Sequence, residues 1–377
     1  MIVDQNIVAE AEIYCQPSSI SVLDVQYMPK ERQSQSSILR EFQASDSVSL
    51  EISGSETDTI MEPTSTSFLP SICSGSHTEI GYRTSNEDEH IRMDDLSSSM
   101  GYLFGCKLPS SFYAVFDGHG GSDASTYLKE NSMKFFFENI DLPQTCQINE
   151  DFLKKLDECH RKAFLSADQA LSDERVSPSS CGTTALTALI LGRLLMVANA
   201  GDSRAVLSRK GLAVQLSRDH RPNNSDERER VEDLGGSVEF GYLNGELAVT
   251  RSLGDWYLKT TPFGSSSSAP LTAEPEIQRI MLREDDEFLI MGCDGIWDAM
   301  SNQDAVSLVR WMLRRNGGDP KHCARELVKE ALRVSGSDNL TAIVVCFSSS
   351  VCSERPRFRF CISEESRNKL RSLLNCN

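Results

Sequence analysis

No two of the twelve cysteines have just two residues between them. They are scattered from Cys15 to Cys376, and no cluster has zinc-ligand spacing, so neither a CxxC redox motif nor a structural zinc is expected. The first residues, MIVDQNIVAEAEIYCQ, lack a basic start and a long apolar run, so no secretory signal is expected. Thiols in such a chain fit a reducing compartment, the cytosol or the nucleus. No run reaches the ~20 apolar residues of a membrane span, and no membrane partner is expected. Positive charge is also scarce. Lys and Arg number 38 against 55 Asp and Glu, a formal net charge of -17. A nucleic-acid backbone would be repelled, which excludes a general nucleic-acid binder. The acidic balance fits either simple solubility or a cleft that holds cations, and charge alone does not separate the two.

What is present suffices for a core: 39% of the residues are hydrophobic. A length of 377 residues allows one large domain with tails, or two small domains. Residues 1–75 are rich in Ser, Thr, Gln and Glu without sustained periodicity, and read as a disordered extension. A short strand at 20–25 is the one apolar run there. The middle changes character. Apolar runs at 112–116, 183–191, 194–198, 205–207, 288–291 and 341–347 read as buried strands, with a hairpin turning at Gly192-Arg193. Helical patterns cover 122–137, 150–171, 304–314 and 320–334, the first with Ser122 and Asp123 as cap candidates. Helices grouped between groups of strands predict a layered α+β domain rather than a βαβ repeat. Beyond 348 the chain is basic and irregular, with a short amphipathic helix expected at 365–374.

Five segments carry candidate chemistry. Arg83 precedes the adjacent carboxylates Glu87 and Asp88, which would face opposite sides of a strand; alone, this fits an ordinary acidic loop. Asp117-Gly118-His119-Gly120-Gly121 follows an apolar strand. Its glycines let backbone approach a ligand and expose carbonyls, its Asp offers the oxygen that hard cations take, and its His is a candidate general acid. A tight turn with a solvated His is the plainer reading. Gly201-Asp202 between two strands is ordinary hairpin material. Asp294 and Asp298 lie on one side of a helical turn, so either a shared cation or an N-cap explains them. Asp338-Asn339 before the last strand is uninformative alone. Together these acids recur at the ends of core strands. Converging on one sheet edge, they would repel strongly unless cations neutralised them. An oxygen-only set favours Mg²⁺ or Mn²⁺ over zinc. Paired ions of that kind serve in-line phosphoester hydrolysis. The physics reaches a metal-assisted phosphoester hydrolase and no further.

The ordered motifs RxxxED (83–88), DGHGG (117–121), CGTTA (181–185), ANAGDSRA (198–205), RDHRP (218–222), RSLGD (251–255), CDGIWD (293–298) and SDNLT (337–341) closely resemble the type 2C metal-dependent protein phosphatases. The resemblance spans about 75–347, giving a phosphatase domain at 76–348 between the extension and a basic tail at 349–377. It implies a four-layer α-β-β-α sandwich around two antiparallel sheets. It implies hydrolysis of phosphoserine and phosphothreonine by a water bridging two Mg²⁺ or Mn²⁺ ions. Asp117 would bridge the ions, Glu87 and the Gly118 carbonyl would serve one, and Asp294 and Asp338 the other. Asp88 would hold coordinated waters, Arg83 the substrate phosphate, and His119 would protonate the leaving oxygen. Asp202, with Asp294 and Asp298, resembles a weaker third metal site. The partners implied are phosphorylated proteins, with the enzyme a monomer. His220 reads as part of a rigid turn, Arg251 and Asp255 as an internal ion pair, and Trp297 and Trp311 as core. Asn86 stands where Met is common and Thr250 where Ser is usual. Residues 221–251 should form a flap beside the site. It contains no Trp, unlike the flap of plant hormone co-receptors, so no complex of that kind is expected.

Overall fold

The apolar runs become strands because both of their faces are covered. In the computed structural model, which describes residues 68–100, 108–138, 148–259, 269–315 and 318–347, two five-stranded antiparallel sheets lie face to face. One sheet has the order β1 (Cys73–Glu79), β15 (Leu340–Cys346), β14 (Asp286–Gly292), β8 (Arg204–Arg209), β9 (Leu212–Gln215). The other has the order β13 (Glu276–Met281), β7 (Leu194–Ala200), β6 (Ala185–Leu191), β3 (Ser110–Phe116), β2 (Glu89–Met93). Every residue of β3, β6, β7 and β15 is buried. The period of two sorts them. Tyr113, Val115, Leu186, Ala188, Leu195 and Val197 join Phe288, Ile290 and Val344 in the inter-sheet core. Their neighbours Phe112, Ala114, Phe116, Leu189 and Met196 instead face the helices of the outer layer.

That outer layer is α2 (Asp123–Met133), extended by a π-helical turn at Lys134–Glu138, and α3 (Glu150–Ala170). On the opposite sheet lie α7 (Asn302–Arg315) and α8 (Pro320–Val334). The result is the four-layer α-β-β-α sandwich. Asn149 caps α3 by accepting the Phe152 amide at 2.9 Å, and Asp319 caps α8 ahead of Pro320. Ser122 precedes α2 but makes no side-chain cap. A short helix α1 (Leu96–Met100) packs beside β3.

Between the sheets' ends runs a small third sheet, ordered β12 (Leu253–Gly254), β5 (Gly182–Thr183), β4 (Gly118–His119). The flap segment carries α4 (Ser225–Asp233) and the two-residue strands β10 (Val238–Glu239) and β11 (Tyr242–Leu243). Two further short helices are α5 (Trp256–Lys259) and α6 (Asp294–Trp297).

Two side-chain expectations are corrected. Arg251 does not pair with Asp255. It reaches Glu227 of α4, which also takes Arg230 at 2.9 Å and the Thr250 hydroxyl at 2.6 Å. Asp255 has a left-handed backbone, φ 53°, which turns its carboxylate inward, away from Arg251. Trp297 is core, but Trp311 is half-exposed on α7, with the Arg315 guanidinium 4.4 Å from its ring centre. The expected strand at 20–25 and helix at 365–374 lie outside the described residues.

Candidate metal centre and active site

The acidic segments meet where strands of both sheets end. Asp117 follows β3, and its backbone is held on both sides: its carbonyl accepts the Thr184 amide at 2.8 Å and its amide donates to the Thr184 hydroxyl at 3.3 Å. Asp202 sits in the turn between β7 and β8, Asp294 at the start of α6 after β14, and Asp338 just before β15. One carboxylate oxygen each from Asp117, Asp202 and Asp294 lies within 4.8 Å of the others. A cavity of about 180 Å³ opens above them, lined also by Arg83, Glu87, Gly118, His119 and Asp338.

Asn339 joins the two acidic loops. Its Oδ1 accepts the Glu87 amide at 2.8 Å, and its Nδ2 donates to the Ile80 and Ser85 carbonyls, each at 2.9 Å. Asn86 braces the same loop by donating to the Thr78 hydroxyl at 3.0 Å, a polar bracket in place of the Met common there. Gly118 has a steric reason: a Cβ there would lie 2.4 Å from the Glu87 carbonyl oxygen. Arg83 is half-exposed at the rim, donating to Asp338 Oδ2 at 2.7 Å and to the Ser337 carbonyl at 2.9 Å.

The electrostatics are those of crowded acids. Burial first, and then neighbouring carboxylates, push Asp117 well above the usual carboxylate range. Burial and the charges of Asp202 and Asp338 push Asp294 up to about 8. Asp88 is raised to about 6, chiefly by burial. Neither oxygen of buried Asp88 has a hydrogen-bond partner among the described residues. Unsatisfied buried oxygens and mutually repelling carboxylates are what a hard cation relieves, so the donor set fits Mg²⁺ or Mn²⁺. Cys293 lies near Asp88 and Asp117. Burial and these carboxylates raise its thiol well above the ordinary range, and its Sγ donates to the Asn339 carbonyl at 3.4 Å and accepts the Thr341 amide at 3.1 Å.

His119 points to the opposite wall. Its Nε2 lies 2.8 Å from Asp255 Oδ2, which also accepts the Ser252 hydroxyl at 2.6 Å. Gly182 makes room: a Cβ there would sit 2.1 Å from Asp255 Oδ2. Burial opposes the charged imidazole, but the Asp255 carboxylate outweighs it, and His119 titrates above its ordinary value. His220 is buried and structural, accepting the Gly201 amide at 3.1 Å on Nδ1. Asp298, an exposed residue one turn after Asp294, reaches neither Asp117 nor Glu87; it pairs with Arg221 at 3.1 Å.

Sequence reasoning found the carboxylates but missed Asp255, Asn339, Glu227 and Arg221. Asp255, Asn339 and Arg221 stand inside quoted motifs, so their signal was present; Asp255 was given Arg251 as its partner, and the other two no role.

The family model for Protein phosphatase 2C matches residues 73–340. The chain belongs to that family. A protein phosphatase 2C is a metal-dependent serine/threonine protein phosphatase, and this one is of the plant type. It is 49% identical over 390 residues to probable protein phosphatase 2C 43 of Arabidopsis thaliana, covering 99% of this chain and 90% of that one. It is 58% identical over 288 residues to probable protein phosphatase 2C 47 of Oryza sativa subsp. japonica, covering 76% and 73%. Among solved structures, the serine-threonine phosphatase 2C from Toxoplasma gondii superposes with a TM-score of 0.59 at 23% identity, covering 74% of this chain and 97% of that one. At that identity the likeness concerns the fold.

Proposed function

We propose that this phosphatase 2C hydrolyses phosphoserine and phosphothreonine in proteins with two Mg²⁺ or Mn²⁺ ions held by Asp117, Glu87, the Gly118 carbonyl, Asp294 and Asp338. Asp88, buried beside them with both oxygens unpartnered, orients their waters. When bound, the ions supply an activated water and positive charge against the phosphoryl oxygens. The chain's own groups do the rest. The Arg83 guanidinium, at the rim, takes phosphate oxygens in a two-pronged grip and thereby orients the ester. His119, aimed by the Asp255 carboxylate 2.8 Å away, gives a proton to the departing Ser or Thr oxygen. The observation that carries the reading is the single cavity lined by Glu87, Asp117, Gly118, Asp294 and Asp338 together with His119 and Arg83. The net charge of -17 favours basic segments around the phosphorylated residue. The enzyme acts as a monomer in the cytosol or nucleus; no helix among the described residues is long and apolar enough to cross a membrane.

The test is hydrolysis of a phosphothreonine peptide with Mn²⁺, with EDTA, and by Asp117→Ala. Turnover is expected only in the first case. Turnover that survives chelation would overturn the reading.

A further inference from the structure

Arg221 is held where the resemblance implies a third metal ion. Its Nε donates to Asp202 Oδ2 at 2.8 Å, while Nη2 reaches Asp294 Oδ2 at 3.1 Å and Asp298 Oδ1 at 3.1 Å. All three carboxylates expected to share that ion thus converge on one guanidinium. The planar fork suits this role, because its nitrogens address separate carboxylates at once.

The backbone around Arg221 is anchored on both sides. Before it, Asp219 is gripped by Arg204 through two nitrogens, at 2.9 and 2.5 Å. His220 is buried; its amide donates to the Gly201 carbonyl at 3.0 Å and its carbonyl accepts the Thr250 amide at 2.8 Å. After it comes buried Pro222, which restricts the conformation of the residue before it. A rigid turn therefore presents this one side chain to the acids. That turn is built from residues the hydrolytic chemistry does not use.

Resting on the two-ion reading above, we propose that Arg221 is the resident cation of the Asp202–Asp294–Asp298 pocket, and that this phosphatase holds two divalent ions and no third. The guanidinium neutralises part of the carboxylate charge, and a divalent ion entering the pocket would meet a fixed positive charge rather than free oxygens. Asp202, an acid that the two-ion set does not use, has its charge balanced in this way.

Titration calorimetry of Mn²⁺ into the metal-stripped full chain tests this. Wild type is expected to saturate at two ions per chain. Arg221→Gln is expected to take a third, and Arg221→Gln combined with Asp298→Asn to return to two. The metal-free Arg221→Gln protein should also melt at a lower temperature than metal-free wild type, because it loses its neutralising charge. A wild-type chain that binds three ions, or Arg221→Gln that stays at two, overturns the proposal. If Arg221→Gln does not fold, Asp298→Asn alone decides. Starting from two ions, it leaves the count unchanged if Arg221 fills the pocket; a count that falls from three to two overturns it. Asp117→Ala reports separately on the two-ion reading. If it keeps the wild-type count, that reading fails whatever Arg221 does.

Discussion

His119 and Asp255 form a pair whose division of labour is measurable. A general acid matters in proportion to how poorly the leaving group departs without a proton. His119→Asn should lower kcat about 10²-fold or more on a phosphothreonine peptide. It should change little on an aryl phosphate, whose leaving oxygen is already a weak base. In the proposed mechanism Asp255, buried behind His119, acts through it as a positioning residue. Asp255→Asn should lower kcat by about 10- to 100-fold on the peptide, with KM nearly unchanged and the same sparing of the aryl substrate. Equal losses on both substrates would mean that Asp255 is only structural. The acids at this scale were legible in the sequence because they recur, in ordered motifs, at the ends of core strands. Asp255 was not, because its partner lies 136 residues away. Local spacing placed it opposite Arg251, whose guanidinium is instead taken by Glu227, 24 residues away.

At the scale of elements, two ion pairs with buried carboxylates lock the segments beside the site: one joins α5 to α3, and the other holds α4 to Thr250 and Arg251 at the far end of the flap. Lys259 of α5 is buried, donating to Asp168 of α3 at 2.7 Å and to the Ser252 carbonyl at 2.8 Å. Asp168→Ala would strand that ammonium in the protein interior. The expected cost is about 3–5 kcal/mol, read from urea denaturation midpoints. Glu227 of α4 is the second tie. Burial alone would raise its carboxyl, but bonds from Arg251, Arg230 and Thr250 hold it well below the usual range. A depressed folded-state value means a stabilisation that is complete above the unfolded glutamate value of ~4.3 and lost as pH falls below it. Wild type should therefore lose more stability between pH 7 and pH 3.5 than Glu227→Gln, measured by thermal melts across that range. The same elements mark the limit of pattern reading. Strands β3, β6 and β7, covered on both faces, announced themselves as continuous apolar runs. The edge strands β2 and β13 are mostly half-buried, with exposed residues at irregular positions. Helix α4 buries only Glu227 and Val231. Neither shows a stripe that hydrophobic periodicity detects.

For the whole molecule, the centre is assembled from both sheets, and bound cations should hold the folded state together. Mn²⁺ at about a hundredfold excess over its Kd should add about 2.7 kcal/mol per site. Chelation should lower the melting temperature of wild type, and that shift should be much reduced in Asp117→Ala. A wild-type melt insensitive to chelation would contradict the cation-neutralised centre.

Strand β1 pairs with β15 along its whole length, Cys73 against Cys346 and Glu79 against Leu340. The first strand of the domain therefore waits for its last. During synthesis, β1 leaves the ribosome roughly 270 residues before its partner exists, and at ~5–20 residues per second that is tens of seconds with an unpaired edge. Asp338, two residues before β15, arrives in the same closing step. An interrupted chain therefore has neither a closed sheet nor a complete set of acids. A translation product that stops before Asp338 is expected to show no Mn²⁺-dependent phosphatase activity, because it lacks both the closing strand and one of the acids.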